Sequence, residues 1–203
     1  MDQIAEIILE KKVFEIDFKK QFRFASGKVF PFYCDNRILL SMPKERDIIV
    51  NAFAKKISDE KIIFSVVAGI ATASIPWAAM LAAKLSKPLI YVRKESKDHG
   101  KGKRIEGSVK KGEKVLLIED LISTGGSSLD AVHVLRESGL KVDYCLGIFT
   151  YNIGNVLSKF SDENVNLITL TDINEVLGVA VKKGKIDEKQ RKEIVRLLGN
   201  SND

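Results

Sequence analysis

From about residue 44 onward the chain alternates short, fully apolar runs with amphipathic stretches of helical period. Ile62–Ala68, Leu89–Val92, Val115–Ile118, Val142–Phe149 and Val165–Leu170 read as strands with little polar interruption. Strands apolar on both faces belong to a mostly parallel sheet covered on both sides. Between them lie stretches predicted to be helical. One follows Pro43, a favoured first helical residue, with Ile48, Ile49, Ala52, Phe53 and Ile57 on its buried face. Others run over Pro76–Leu85 and Ser127–Glu137, and two more near Asp172–Val181 and Asp187–Leu198 close the chain. Asp187 with Gln190 three residues on matches a capping box. The expected fold class is therefore α/β, a central sheet flanked by helices.

The first 43 residues lack this rhythm. Ile4–Val13 reads as an amphipathic helix, and Phe14–Arg37 as short aromatic pieces broken by Ser26-Gly27 and Pro31. Phe22, Phe24, Phe30, Phe32 and Tyr33 mark a hairpin-like hood. Two units are expected: residues 1–43 as helix and hood, and 44–203 as the α/β core with its C-terminal helices.

Composition narrows the class. A chain of 203 residues with 45% hydrophobic and 30% charged side chains is ordinary for a globular protein. No apolar run approaches a membrane span. Cys34 and Cys145 are too few and too far apart for a disulfide framework or metal site. A soluble protein of the reducing cytoplasm is expected. The net charge of +6 is unevenly spread. The segment Arg93–Arg104 holds six basic and two acidic residues, with glycines and no apolar period. That pattern predicts a cationic loop suited to a polyphosphate. The basic Lys182–Arg196 stretch reads as a solvated helix face.

The chemistry concentrates in Val115–Ser128. A buried strand runs into Glu119-Asp120, then through Leu121-Ile122-Ser123-Thr124-Gly125-Gly126-Ser127 into a helix. Free N–H groups at a helix start, with glycines that let backbone approach closely, form an anion cradle. Ser123, Thr124, Ser127 and Ser128 add hydroxyls. Glu119 and Asp120 must face something other than the anion, such as sugar hydroxyls, a metal shell or a developing cation. A sugar phosphate needs both features together. The sequence has neither the Gly-Lys-Ser/Thr of a Walker loop nor a dinucleotide fingerprint. His133, Trp77 and Met80 read as packing or surface residues on helices.

Glu119-Asp120 through Ser128 resembles the phosphoribosyl diphosphate (PRPP) motif of type I phosphoribosyltransferases. Arg93-Lys94-Glu95-Ser96-Lys97-Asp98-His99-Gly100 resembles the catalytic loop of the orotate-specific branch. Phe24–Gly27 and Tyr33–Arg37 look like that branch's hood, and Gly69–Ala73 like its pyrophosphate loop. The resemblance implies the type I fold and Mg2+-dependent transfer of ribose 5-phosphate from PRPP to orotate. It also implies a homodimer with shared active sites, no nucleic-acid partner, and a non-proline cis peptide near Ala71-Thr72.

By that resemblance Lys97, His99, Glu119 and Asp120 are catalytic. Arg93, Lys94, Lys97 and His99 meet the diphosphate, Glu119 and Asp120 the ribose, and Ser123 through Ser127 the 5-phosphate, with Leu121 and Ile122 also in the PRPP site. Mg2+ is expected to arrive on PRPP without a protein cage of its own. The chain departs from the family at Ala25, where some members have lysine, and at Phe149-Thr150-Tyr151-Asn152, where some have arginine. These departures shift orotate binding onto backbone groups, Ser123, and Lys28 or Arg37. Two other classes share the PRPP loop. A purine transferase should lack the Lys-Asp-His-Gly segment and this hood. A PRPP-sensing nucleic-acid-binding regulator would need a basic surface away from the pocket.

Overall fold

In a computed structural model, residues 2–24, 27–95 and 104–199 are described. Asp2 starts helix α1 (Gln3–Glu10) by accepting the backbone N–H groups of Ile4 and Ala5 at 2.9 and 3.2 Å. Four short strands follow: β1 (Phe14–Ile16), β2 (Phe22–Arg23), β3 (Val29–Phe30) and β4 (Phe32–Cys34). They form two antiparallel pairs, β1 with β4 and β2 with β3. The aromatic pieces of the sequence thus become a hood of two small ribbons. A 3-10 helix (Asn36–Ser41) leads to α2 (Pro43–Asp59), which has its proline in the first turn.

The core then alternates β5 (Val66–Ile70), α3 (Ile75–Leu85), β6 (Leu89–Val92) and the two-residue β7 (Ile105–Glu106). Next come β8 (Lys114–Ile122), α4 (Gly126–Glu137), β9 (Lys141–Thr150), α5 (Val156–Asp162) and β10 (Asn166–Asp172). Helices α6 (Ile173–Lys182) and α7 (Glu188–Gly199) complete the described chain. The six core strands form one sheet in the order β10-β9-β8-β5-β6-β7, parallel except for the antiparallel edge β7.

Residue parity divides the core into two layers. Along β8, Leu116 and Ile118 join α1, α2, α3, α6 and α7 on one face, while Val115 and Leu117 meet α4 and α5 on the other. This two-residue period is why the strands are apolar throughout. Apolar residues of α1 and the hood belong to the same continuous cluster as the first layer, with Phe14, Phe149 and Tyr151 in contact.

Three sequence expectations change. The strand expected over Ile62–Ala68 begins only at Val66, and Ile63 is 75% exposed. Helix α2 ends with Lys61 in a left-handed conformation and the Ile62 N–H on the Ile57 carbonyl, so 62–65 serve to turn the chain into the sheet. An apolar run alone does not mark that turn. Helix α5 and strand β7 were not anticipated. The two-residue β7 forms where Arg93 and Arg104 exchange hydrogen bonds, with the Arg93 N–H on the Arg104 carbonyl at 2.8 Å and Arg104 Nε on the Arg93 carbonyl at 2.9 Å. The capping box at α7 is present in both directions, at 2.7 and 3.0 Å. Trp77 is fully buried and Met80 half-buried. His133 is on the surface beside Glu163.

Sheet order fixes where a ligand fits. From β5 the chain crosses through α3 to β6 on one side, and from β8 through α4 to β9 on the other. The crevice beyond the carboxyl ends of β5 and β8 is therefore the topological switch point, the usual ligand position in such sheets. Helix α3 reaches it only by packing tightly on β5. A Cβ added at Gly69 would stand 3.0 Å from both Ala78 Cβ and Ile75 Cα. Gly69→Ala should lower unfolding free energy by about 1–3 kcal/mol through overpacking. Gly126→Ala, whose added Cβ meets nothing within 4 Å, should stay within about 0.5 kcal/mol of the parent. Urea midpoints of the two ligand-free variants check the contrast.

Candidate active site

A cavity of about 510 Å³ opens at that switch point. One wall is the run that ends β8: Glu119, Asp120, Leu121, Ser123, Thr124 and Ser127 all line it. The loop after β5, Ile70 through Ala73, supplies a second wall, and the hood with Tyr151 a third. The Ala71-Thr72 peptide is cis, at the position the resemblance implied.

The anion cradle has a local cause. Gly125 takes φ +82° at the start of α4, and no side chain caps the helix. Its first N–H groups are therefore left to a ligand. Gly125 is required twice over, because an added Cβ would also approach Phe160 to 2.8 Å. Thr124 and Ser127 are exposed at the cradle and Ser123 is half-buried. Ile122 is turned inward, 1% exposed, with its side chain toward Gly147, so only its backbone faces the chemistry.

The two carboxylates divide their roles by burial. Glu119 is 5% exposed. It accepts the hydroxyl of Ser74 through Oε1 and that of Ser128 through Oε2, the latter at 3.2 Å, and the Asp120 N–H at 3.1 Å. Ser74 and Ser128 open α3 and α4, so one carboxylate joins the first turns of both crossover helices to the sheet. Asp120 is half-buried and faces the cavity. Its carbonyl accepts Asn36 Nδ2 at 2.6 Å, which ties the hood to the strand. Burial raises the pKa of Glu119 well above the ordinary carboxyl range, and the neighbouring Asp120 charge adds to the shift. Burial also raises Asp120, opposed by hydrogen bonds from Glu119 and from backbone N–H groups.

The hood forms an aromatic wall. Phe24 lies 5.2 Å from Tyr151 and 6.1 Å edge-on from Tyr33, ring centre to ring centre. The Tyr151 hydroxyl accepts the Cys34 N–H at 2.8 Å, holding the wall to the end of β9. Burial raises the pKa of both the Tyr151 hydroxyl and the Cys34 thiol, so both stay protonated.

Other expected site residues are placed differently. Arg37 lines the cavity, but its guanidinium is bidentate on Asp35 at 2.6 and 2.8 Å. That pairing lowers the Asp35 pKa and raises that of Arg37. Lys28 is half-buried on the hairpin, where its carbonyl accepts the Phe24 N–H, and is not in the cavity wall. Arg93 reaches Glu106 at 3.6 Å, and Lys94 is exposed; neither lines this cavity. Lys97 and His99 lie outside the described residues.

Four contributors have roles that sequence reasoning did not assign. Ser74 directs its hydroxyl to Glu119. Ser128 looked like part of the cradle but serves the same carboxylate. Asn36, within the Tyr33–Arg37 hood segment, and Arg23 were given no role of their own, and both line the cavity.

Known proteins with this arrangement can now be compared. A family model described as the phosphoribosyl transferase domain matches residues 39–183. Orotate phosphoribosyltransferase of Coxiella burnetii is 41% identical over 94% of this chain and 91% of its own. The Listeria innocua protein of the same name is 45% identical over 91% of this chain and 88% of its own. The crystal structure of orotate phosphoribosyltransferase from Aeropyrum pernix superposes with a TM-score of 0.79 at 29% identity, covering 91% of this chain and 99% of that one. By its domain match and by these identities over nearly the whole of both chains, the chain belongs to the orotate phosphoribosyltransferases.

Proposed function

We propose that this chain transfers the ribose 5-phosphate group of PRPP to orotate, giving orotidine 5'-monophosphate and diphosphate. One observation carries the reading: the uncapped start of α4 and the half-buried Asp120 face the same cavity. The cradle suits the 5-phosphate and Asp120 the ribose hydroxyls. The orotate N1 forms a bond to the anomeric carbon as the carbon–oxygen bond to diphosphate breaks. The pair of electrons from that bond leaves with diphosphate, and the N1 proton passes to the medium. Positive charge builds on the ribose ring on the way, as in glycoside transfer. A carboxylate already fixed beside the ring favours that charge without reorganising.

Mg2+ fits the donor set. Glu119 spends its oxygens on Ser74, Ser128 and the Asp120 N–H, which leaves Asp120 as the carboxylate open to the cavity. A cation that keeps most of its ligands as phosphate oxygens and water needs little more. When bound it neutralises charge on the leaving diphosphate. The protein's own part is to grip the phosphate, hold the sugar and wall off the base.

The same reading includes a symmetric dimer in which residues 93–104 of one copy complete the other copy's site, with Lys97 and His99 on the diphosphate. Its support is that Arg93 and Arg104 are engaged with Glu106 and Asp130 and stand outside the cavity wall of their own chain. A cytoplasmic setting goes with the substrates. Among the described residues no helix is long and apolar enough to cross a membrane.

Loss of orotate absorbance on adding PRPP and Mg2+, against uracil, hypoxanthine, xanthine and adenine, tests the transfer itself. Turnover of another base in preference to orotate would refute it. Asp120→Asn should cut kcat by roughly 10- to 1000-fold, as expected for an electrostatic stabiliser, with little change in the KM for PRPP. Ser127→Ala should do the reverse, raising that KM with a modest loss of rate. Mixing inactive Lys97→Ala with inactive Asp120→Asn protein should restore activity, since some hybrid dimers hold one site free of both changes. Failure to recover, with subunit exchange shown separately, would end the shared-site proposal alone.

A further inference from the structure

The charges around the cavity do not suit an anionic base unless one more cation takes part. Its acidic groups are Glu119, Asp120 and Asp35. Two cations line it among the described residues, Arg23 and Arg37. Arg37 is closed off by its two-point pairing with Asp35. Arg23 is different. Its guanidinium makes one long hydrogen bond, Nη1 to the Gly27 carbonyl at 3.4 Å, and the described residues give it no carboxylate partner. A guanidinium has five N–H donors in a planar fork that matches a carboxylate. Most of that capacity is available to a ligand.

Position agrees with charge. Arg23 ends β2, one residue before Phe24, the ring that stands against Tyr33 and Tyr151. With the phosphate at α4 and the ribose at Asp120, the hood is the wall left for a planar acceptor. An aromatic face beside a free guanidinium is what a planar ring bearing a carboxylate calls for. We infer that Arg23 determines acceptor specificity by pairing with the carboxylate of orotate, the part expected of Lys28 or Arg37. This assignment rests on the transfer to orotate proposed above.

Arg23 is exposed on a two-residue strand, so its replacement leaves the core intact. The test uses Arg23→Gln and Arg23→Lys in the full chain. Arg23→Gln should raise the KM for orotate about 10- to 100-fold, the loss expected for a hydrogen-bonded charge, and leave the KM for PRPP within about twofold. Arg23→Lys, which keeps the charge, should recover part of that loss. Inhibition by orotidine 5'-monophosphate against uridine 5'-monophosphate isolates the carboxylate, because the two differ only there. Arg23→Gln should weaken the first by a similar factor and leave the second unchanged. Equal weakening of both nucleotides, or an orotate KM unaltered in Arg23→Gln, would overturn the assignment. A parent protein that does not turn over orotate would instead overturn the transferase reading beneath it.

Discussion

The site depends on a buried carboxylate near the end of β8 that bonds to the first turns of two other elements of the fold. Glu119 accepts hydroxyls from the starts of α3 and α4 and the backbone N–H of the residue that follows it. Those two helices pack on opposite faces of the sheet, so their first turns meet at the switch point. The pairing of β5 with β8 brings the loop after β5 near the cradle at α4, and the shared acceptor ties the first turns of the two helices together. Burying a carboxyl is costly, and two hydroxyls and one amide offset that cost only in part. The raised pKa of Glu119 records the remainder. A protein that accepts this cost in its ligand-free state gains a preorganised crevice, a common exchange of stability for activity.

Asp120 is open to the cavity, whereas Glu119 is turned into the protein. The two are adjacent in sequence, yet one lies within the protein and the other at the cavity surface. The hood completes the enclosure through two ties of its own, Asn36 to the Asp120 carbonyl and the Cys34 N–H to Tyr151. Movement of the hood would therefore be felt at Asp120, the carboxylate that faces the cavity. The hood and the carboxylate that faces the cavity are thus linked through the backbone of Asp120, and on the proposed function this link connects base and ribose recognition mechanically.

The sheet and most helices were legible because a strand buried on both faces and an amphipathic helix leave different periods. The phosphate cradle was legible because its glycines and hydroxyls are consecutive. The expected strand over Ile62–Ala68 overshot because a helix C-terminus and a strand can draw on the same apolar residues. Strand β7 rests on two arginines that hydrogen-bond to each other, and no two-residue strand has a readable period. Contacts between distant segments were the least legible. Ser74 lies 45 residues from Glu119 and Asn36 84 from Asp120, and neither carries a mark of its partner. Arg37 looked available until the structure paired it with Asp35, two residues away.

The claim that Glu119 is a costly buried anchor is tested most directly by stability against pH in the ligand-free protein. A carboxyl whose pKa is raised on folding binds its proton more tightly in the folded state than in the unfolded chain. Stability must then fall as pH rises from the ordinary glutamate value of 4.5 toward the raised one. Glu119→Gln keeps the shape and removes the titration. Urea unfolding of both proteins from pH 4.5 to 9 should show the variant gaining on the parent as pH increases. A difference between them that stays constant across that range, or that shrinks, would mean Glu119 titrates as an ordinary carboxylate and is not the strained anchor described here.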